Sequence, residues 1–225
     1  MSYIIQDFNI KTFPSETLVF RDGVFCPDLS SIKYEPINKK YKLPIHIIYF
    51  GEITGKNVLN IELNTKNQPV FISVKIKNKK PAFFNIYIKN TGENSEIKSV
   101  IMLENHSDLK FNCVAEHYSK NTGIFVKTRL VAYQNSISEL STTANIGKNC
   151  KNCNSDVSLS AIAEKGSKIK FLPAQKMSSI PKIASHSASI YIPTKPQIEF
   201  LYESGMNDRE IKRCLHDAFL TDIDF

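Results

Sequence analysis

Strict alternation of apolar and polar residues runs through the stretch Ile72-Ser73-Val74-Lys75-Ile76-Lys77. Successive side chains of a β-strand point to opposite faces, so this pattern predicts a strand with one buried and one solvated face. The same alternation recurs at 84–89, 109–116, 124–132 and 168–171. Other short stretches rich in β-branched and aromatic residues predict strands at 45–50, 58–63, 99–103, 136–144, 156–163 and 187–192.

The spacing of these stretches limits the fold. They recur about every 12 residues, which leaves no room for a helix between most of them and excludes a sheet built from βαβ units. A sandwich, a barrel and a β-solenoid all remain compatible with this spacing. No strict repeat motif is visible, so a regular hexapeptide solenoid is not expected. The fold class is therefore mainly β.

Length and composition describe a folded chain. The 225 residues fit one large domain, or one domain with a small appendage, and 42% apolar with 23% charged residues can form a packed core. No apolar run is long enough to cross a bilayer, and the first residues lack the order of a secretory signal. Five scattered cysteines are then expected as reduced thiols, so we expect a cytoplasmic protein.

The positive charge is spread along the chain. A net charge of +7 and a pI near 9.0 permit weak attraction to nucleic acid or anionic membranes. The densest cluster, Lys75, Lys77, Lys79 and Lys80, coincides with the solvated face of a predicted strand. No nucleic-acid-binding motif accompanies it, so neither nucleic acid nor a membrane is expected as a partner.

The pattern becomes helical near residue 194. Pro196 suits the first turn of a helix and Gly205 its C-terminal cap, while Asn207 and Glu210 form a capping box for a second helix. We therefore divide the chain into a β core with its N-terminal segment, 1–193, and a helical region, 194–225. A hairpin of this size must pack on the β body, on a partner, or on both. The second helix has an apolar stripe of Ile211, Cys214, Leu215, Ala218 and Phe219.

A Cys-x-x-Cys pair stands in the polar, turn-rich stretch 144–156, which predicts an exposed loop. Lys148 and Lys151 flank Cys150 and Cys153 and would favour their thiolates. The pair supplies two metal ligands where a structural zinc site needs four. Two readings therefore stay open, ordinary loop cysteines or a metal- or sulfur-handling pair. Cys113 and Cys214 lie on apolar stripes and are predicted core residues.

One histidine has a setting that suits a ligand. His186 is flanked by Ser185 and Ser187, and small neighbours leave an imidazole accessible to iron or zinc. No phosphate loop, nucleophile elbow, dinucleotide fingerprint or zinc-protease motif is present. No catalytic residue is therefore assigned.

The C-terminal part carries an ordered set of motifs. A Leu172-Pro173 pair precedes a strand and the His186 element, and a short helix, a Ser-Gly turn and an amphipathic helix ending in Phe follow. In this order residues 167–222 resemble the SufB/SufD family of iron–sulfur cluster assembly proteins, and 18–25 are similar to its opening strand. The matching segments are Ser185-His186-Ser187-Ala188-Ser189, Gln197-Ile198-Glu199-Phe200-Leu201, Ser204-Gly205-Met206 and residues 210–219.

The resemblance implies a right-handed parallel β-helix, or β-solenoid, followed by a two-helix region. It further implies that the helices bind a SufC-type ABC ATPase. That partner supplies the ATPase activity, so the resemblance implies that this chain is not itself an enzyme. The β-helix is expected to pair with a SufB-like subunit or a second copy. A transient iron–sulfur cluster at that interface is the one cofactor expected, with His186, Cys150 and Cys153 as candidate ligands. The candidate ATPase-binding residues are Gln197, Phe200, Leu201, Gly205, Ile211, Leu215 and Phe219.

The chain departs from the SufB pattern in three ways. Ser185 and Ser187 stand where SufB has acidic residues, and Ser158 falls near the place of its essential cysteine. The N-terminal helical region usual in the family is not expected here. These departures indicate a reduced, SufD-like scaffold. The alternative is a carbohydrate-binding or carbohydrate-active β-solenoid, for which Tyr87 and Tyr133 would be outward-facing aromatic platforms.

Overall fold

The computed structural model describes residues 16–21, 24–26, 28, 45–63, 67 and 69–221. The strands are β1 (Glu16–Arg21), β2 (Val24–Phe25), β3 (Ile45–Glu52), β4 (Gly55–Leu63), β5 (Pro69–Asn78), β6 (Ala82–Asn90), β7 (Glu96–Asn105), β8 (Asp108–His117), β9 (Gly123–Ala132), β10 (Ile137–Ile146), β11 (Asn154–Ala163), β12 (Lys168–Met177) and β13 (Ile183–Ile190). The helices α1 (Lys195–Glu203) and α2 (Asp208–Thr221) follow.

From β3 onward, consecutive strands alternate between two sheets. Sheet A has the order β13-β11-β9-β7-β5-β3-β1-β2, and sheet B has the order β12-β10-β8-β6-β4. All neighbours are parallel except β1 and β2. Each coil therefore adds one strand to each sheet, and the chain forms a β-solenoid of about five turns. The prediction of a parallel β-helix followed by two helices is confirmed.

Parallel strands of successive coils are in register, so that similar residues lie beside one another. Val70 lies beside Ile97 and Ile97 beside Ile124, so these coils take 27 residues each, while later coils take 29 or 31. Alternate side chains fill the space between the sheets, as the sequence predicted. Cys113 is one of them and is completely buried, which confirms its assignment to the core.

Asparagines with positive φ form one corner of the solenoid. Asn67, Asn94, Asn121 and Asn152 have φ angles of 58°, 54°, 55° and 57°, in the left-handed region that asparagine tolerates better than most residues. The Asn121 side-chain amide donates to Asn94 Oδ1 at 2.9 Å, one coil earlier. This asparagine corner is the element of sequence that repeats with the coils.

The two helices end and begin where their caps predict. Gly205 has a φ of +83°, and the Asn207 N–H donates to Glu210 Oε2 at 2.9 Å while Asn207 Oδ1 accepts from the Glu210 N–H at 3.1 Å. Neither α1 nor α2 is long and apolar enough to span a bilayer. The α2 helix packs on the outer face of sheet A, where Leu220 joins a buried cluster with Val100, Met102 and Val131.

Candidate functional site

The α1 helix stands largely in solvent. None of its residues is buried, and Phe200 and Tyr202 are 66% and 50% exposed. Leu201 is half-buried. Gln197 has a capping role, because its Oε1 accepts from the Thr194 N–H at 2.9 Å and from the Tyr191 hydroxyl at 3.1 Å. Phe200 and Tyr202 are two residues apart, so their side chains leave opposite sides of the helix, and the Tyr202 hydroxyl bonds to Asp208 of α2. The exposed Phe200 ring on this capped helix is suited to a protein partner.

The predicted apolar stripe of α2 is partly covered by the rest of the protein. Ile211 is buried and Leu215 half-buried. The Phe219 ring stacks on Tyr191 at 5.9 Å and lies under the Arg129 guanidinium at 5.2 Å, while its carbonyl accepts a hydrogen bond from Arg129. Of the predicted ATPase-binding residues, Phe200 and Gly205 are therefore exposed, whereas Ile211 is covered by the protein itself.

Two histidines and a tyrosine fasten α2 to the solenoid. The rings of His106 and Tyr133 stack at 3.7 Å, and His216 meets Tyr133 edge-on at 5.3 Å. Glu104 and Glu164 lie 3.9 Å and 3.8 Å from the Nε2 atoms of His106 and His216 respectively. Burial lowers the pKa of both histidines, so both are neutral at pH 7. The contact of His106 and His216 with Tyr133 was not predicted from the sequence. Tyr133 packs between these rings and is not the outward-facing aromatic residue that the sequence indicated.

His186 lies exposed on β13, the last strand of sheet A. Its register neighbour on β11 is Val157, and the adjacent pair is Ser158 beside Ser187. The Ser185 hydroxyl donates to Asp156 Oδ1 at 2.7 Å. Ser158, which falls near the place of the SufB cysteine by sequence spacing, lies on the strand next to that of His186. It is opposite Ser187, the residue that follows His186.

The last coil exposes a large apolar surface. The strands β12 and β13 each have a single strand neighbour among the described strands, so each leaves one edge open. Ile180 is 89% exposed and Ile192 76%. Unpaired edges and exposed apolar side chains together favour association with another chain. The other large apolar side chains exposed in this region are Leu172, Met177, Ile183 and Ile190.

The prediction of an exposed loop at 144–156 is confirmed for Lys148, Asn149, Lys151 and Asn152 but is wrong for the two cysteines. Strands β10 and β11 extend into that stretch, and the turn between them buries Cys150 and Cys153, which are 1% and 0% exposed. Burial first and the neighbouring Cys153 thiol second raise the pKa of Cys150 to about 11. The thiolate predicted from Lys148 and Lys151 is therefore wrong for Cys150, since both lysines lie in solvent.

Both thiols bond to the preceding coil. Cys150 donates to the His117 carbonyl at 2.9 Å and Cys153 to the Ser119 carbonyl at 3.3 Å. His117 Nδ1 lies 2.8 Å from Thr122 Oγ1, which lies 3.2 Å from the Cys153 sulfur. Burial lowers the pKa of His117 to about 4, so its imidazole is neutral. Among the described residues, no three His, Cys, Asp or Glu side chains are grouped to hold a metal ion.

Comparison with known proteins adds no relative. No protein-family model matches the chain, and no curated protein matches it.

Proposed function

We propose that this chain is a SufB/SufD-like scaffold subunit of a cytoplasmic iron–sulfur cluster assembly complex and works with a SufC-type ABC ATPase. The observation that carries the proposal is the exposed ring of Phe200 on α1, a helix in which no residue is buried. It occurs at the end of a β-solenoid, and the segment that contains it resembles the family's tail in the order of its motifs.

In this proposal the two helices have different roles. The α1 helix offers Phe200 and Leu201 to the ATPase, while α2 holds the pair to the solenoid through Phe219 and Leu220. Because Phe219 bonds to the solenoid side chain Arg129, a force applied to the helices is transmitted to the β body. ATP hydrolysis belongs to the partner, and this chain is not an enzyme.

The cluster is cargo at a subunit interface. His186 is exposed on an open-edged strand, so it can face a second subunit, which is either another copy or a SufB-like chain. Because no group of three His, Cys, Asp or Glu side chains that could hold a metal ion occurs among the described residues, the remaining ligands of a cluster would come from that subunit. Cys150 and Cys153 are buried in a turn and do not face such an interface.

Co-purification with a candidate SufC-type ATPase tests the proposal. We expect a stoichiometric complex with the wild-type chain and a loss of about 2 kcal/mol of binding free energy, roughly thirtyfold in Kd, for Phe200→Asp. Val58→Asp is the matched control, because Val58 is equally apolar and 58% exposed but lies on sheet B. Equal binding by the Phe200→Asp variant and the wild type would contradict the proposed docking helix.

A carbohydrate-binding solenoid remains the second candidate because of one feature of sheet B. Phe83 and Tyr87 are exposed on the outer face of β6, and Asn85 between them bonds to Asn112 at 3.2 Å. Flat aromatic rings beside amides are suited to sugar rings and hydroxyl groups. A glycan array distinguishes the candidates. Binding that Tyr87→Ala abolishes supports this one, and an array without signal excludes it for the glycans present.

A further inference from the structure

Two buried thiols share one turn of the solenoid. Cys150 and Cys153 donate to the carbonyls of His117 and Ser119, which lie two residues apart on the preceding coil, and both side chains belong to one buried cluster with Ile146. Cys113 lies elsewhere, in the core between the sheets. We propose that Cys150 and Cys153 form an intrachain disulfide by exchange with a low-molecular-weight disulfide when the turn that covers them opens.

The turn of the last coil covers the pair. The Ser179 hydroxyl lies 2.9 Å from the Gly147 carbonyl and 3.0 Å from the Cys150 carbonyl, and the Lys182 N–H donates to the Cys153 carbonyl at 2.9 Å. Neither sulfur meets solvent while these bonds hold. Access therefore requires local opening of residues 178–182 at the end of the solenoid, where few coils remain to hold the chain.

The exchange takes two steps once the turn is open. The thiolate of one cysteine attacks one sulfur of the small disulfide, forming a mixed disulfide and releasing one small thiol. The other cysteine then attacks the sulfur of the first, closing the ring and releasing the second small thiol.

The exchange balances in electrons and protons. The two cysteines lose two electrons, and the two sulfurs of the small disulfide gain them. The two protons of the cysteine thiols end on the released small thiols. The inference does not depend on the proposed role in cluster assembly, since it uses only this turn and its covering residues.

Oxidation in a glutathione redox buffer, followed by peptide mass spectrometry, tests the pairing. We expect a Cys150–Cys153 linked peptide in the folded wild-type chain, with Cys113 still free to react with an alkylating agent after denaturation. Cys150→Ser should instead trap glutathione on Cys153. Two free thiols at 150 and 153 after equilibration with oxidised glutathione, or links from either to another cysteine, would overturn the proposal.

The rate of oxidation tests the covering turn. Ser179→Ala removes a hydroxyl that bonds to the turn, so we expect about fivefold faster oxidation from a larger open population. Ser178→Ala is the matched control, because Ser178 is the exposed neighbour. Equal rates for both variants and the wild type would refute opening of this turn as the limiting step.

Discussion

The rings of Tyr191 and Phe219 stack with their centroids 5.9 Å apart. Tyr191 directly follows β13, the strand that carries His186, and Phe219 lies in the last turns of α2. The helical region is therefore joined in space, as well as along the chain, to the end of the strand with the candidate ligand.

Loss of the Phe219 ring should loosen α2. We expect Phe219→Ala to lower the free energy of unfolding by about 2 kcal/mol, because the ring is half-buried between Tyr191 and Arg129. Urea unfolding followed by far-UV circular dichroism measures this. Phe200→Ala is the control and should change stability by less than about 0.5 kcal/mol, since Phe200 packs against little. Equal losses in the two variants would contradict the described packing of α2.

Acid should destabilise the fold through its buried histidines. Burial lowers the pKa values of His106, His117 and His216 below the ordinary 6.5, and that of His117 to about 4. The unfolded chain then binds more protons than the folded chain below pH 6.5, so stability present above that pH is lost as the pH falls. His117 alone contributes a loss on the order of 3 kcal/mol between pH 6.5 and 4.

Urea unfolding at pH 7.5 and pH 4.5 checks this dependence. His117→Gln keeps an amide that can bond to Thr122 and does not titrate, so its stability should fall less with acid than that of the wild type. Ser187→Ala is the control, because Ser187 is exposed and its side chain does not titrate in this range. Identical pH profiles for wild type and His117→Gln would show that His117 is not a buried neutral base.

The asparagine corner should resist replacement by ordinary residues. Asn121 has a φ of 55° and bonds to Asn94, so we expect Asn121→Ala to lose about 1–2 kcal/mol of stability. Asn121→Gly loses the hydrogen bond but adopts this φ freely, and should lose less. Thermal unfolding of both variants decides the point, and a glycine variant less stable than the alanine variant would argue against backbone strain as the cause.

Cluster retention tests the proposed role of His186. We expect His186→Ala to lower the iron and sulfide content of the complex after anaerobic co-expression with the ATPase, without a change in Tm, because the side chain is exposed. Ser187→Ala is the neighbouring control and should retain both. Unaltered iron and sulfide in the His186→Ala complex would exclude the imidazole as a ligand.

Alternation predicted the strands well because a half-buried strand has the same period in any β fold. It could not choose a solenoid over a sandwich or barrel, since the inner face of each is equally apolar. The prediction of a solenoid depended on the family resemblance of residues 167–222. The coils repeat at the asparagines 94, 121 and 152. The chain has many other asparagines, so only the positive φ angles show that these three occupy equivalent corners.

The errors have physical causes as well. The Cys150 turn contains Lys, Asn and Gly, which predicted an exposed loop. Its lysines are exposed, but the neighbouring coils bury its two cysteines. In α2 the predicted stripe included Ala218, whereas the structure buries His216 and Leu220. A neutral imidazole can pack against Tyr133 as an aromatic ring, and a scale that treats histidine as polar does not register this.

Among the described strands, sheet A ends in the two-residue β2 on one side and in the open edge of the eight-residue β13 on the other. At the last coil, β12 leaves a second open edge, in sheet B. Two copies that meet through these edges around a two-fold axis cover the last coil of both, whereas a head-to-tail contact leaves an edge for the next copy. A closed pair is therefore the assembly that leaves no edge of the last coil exposed.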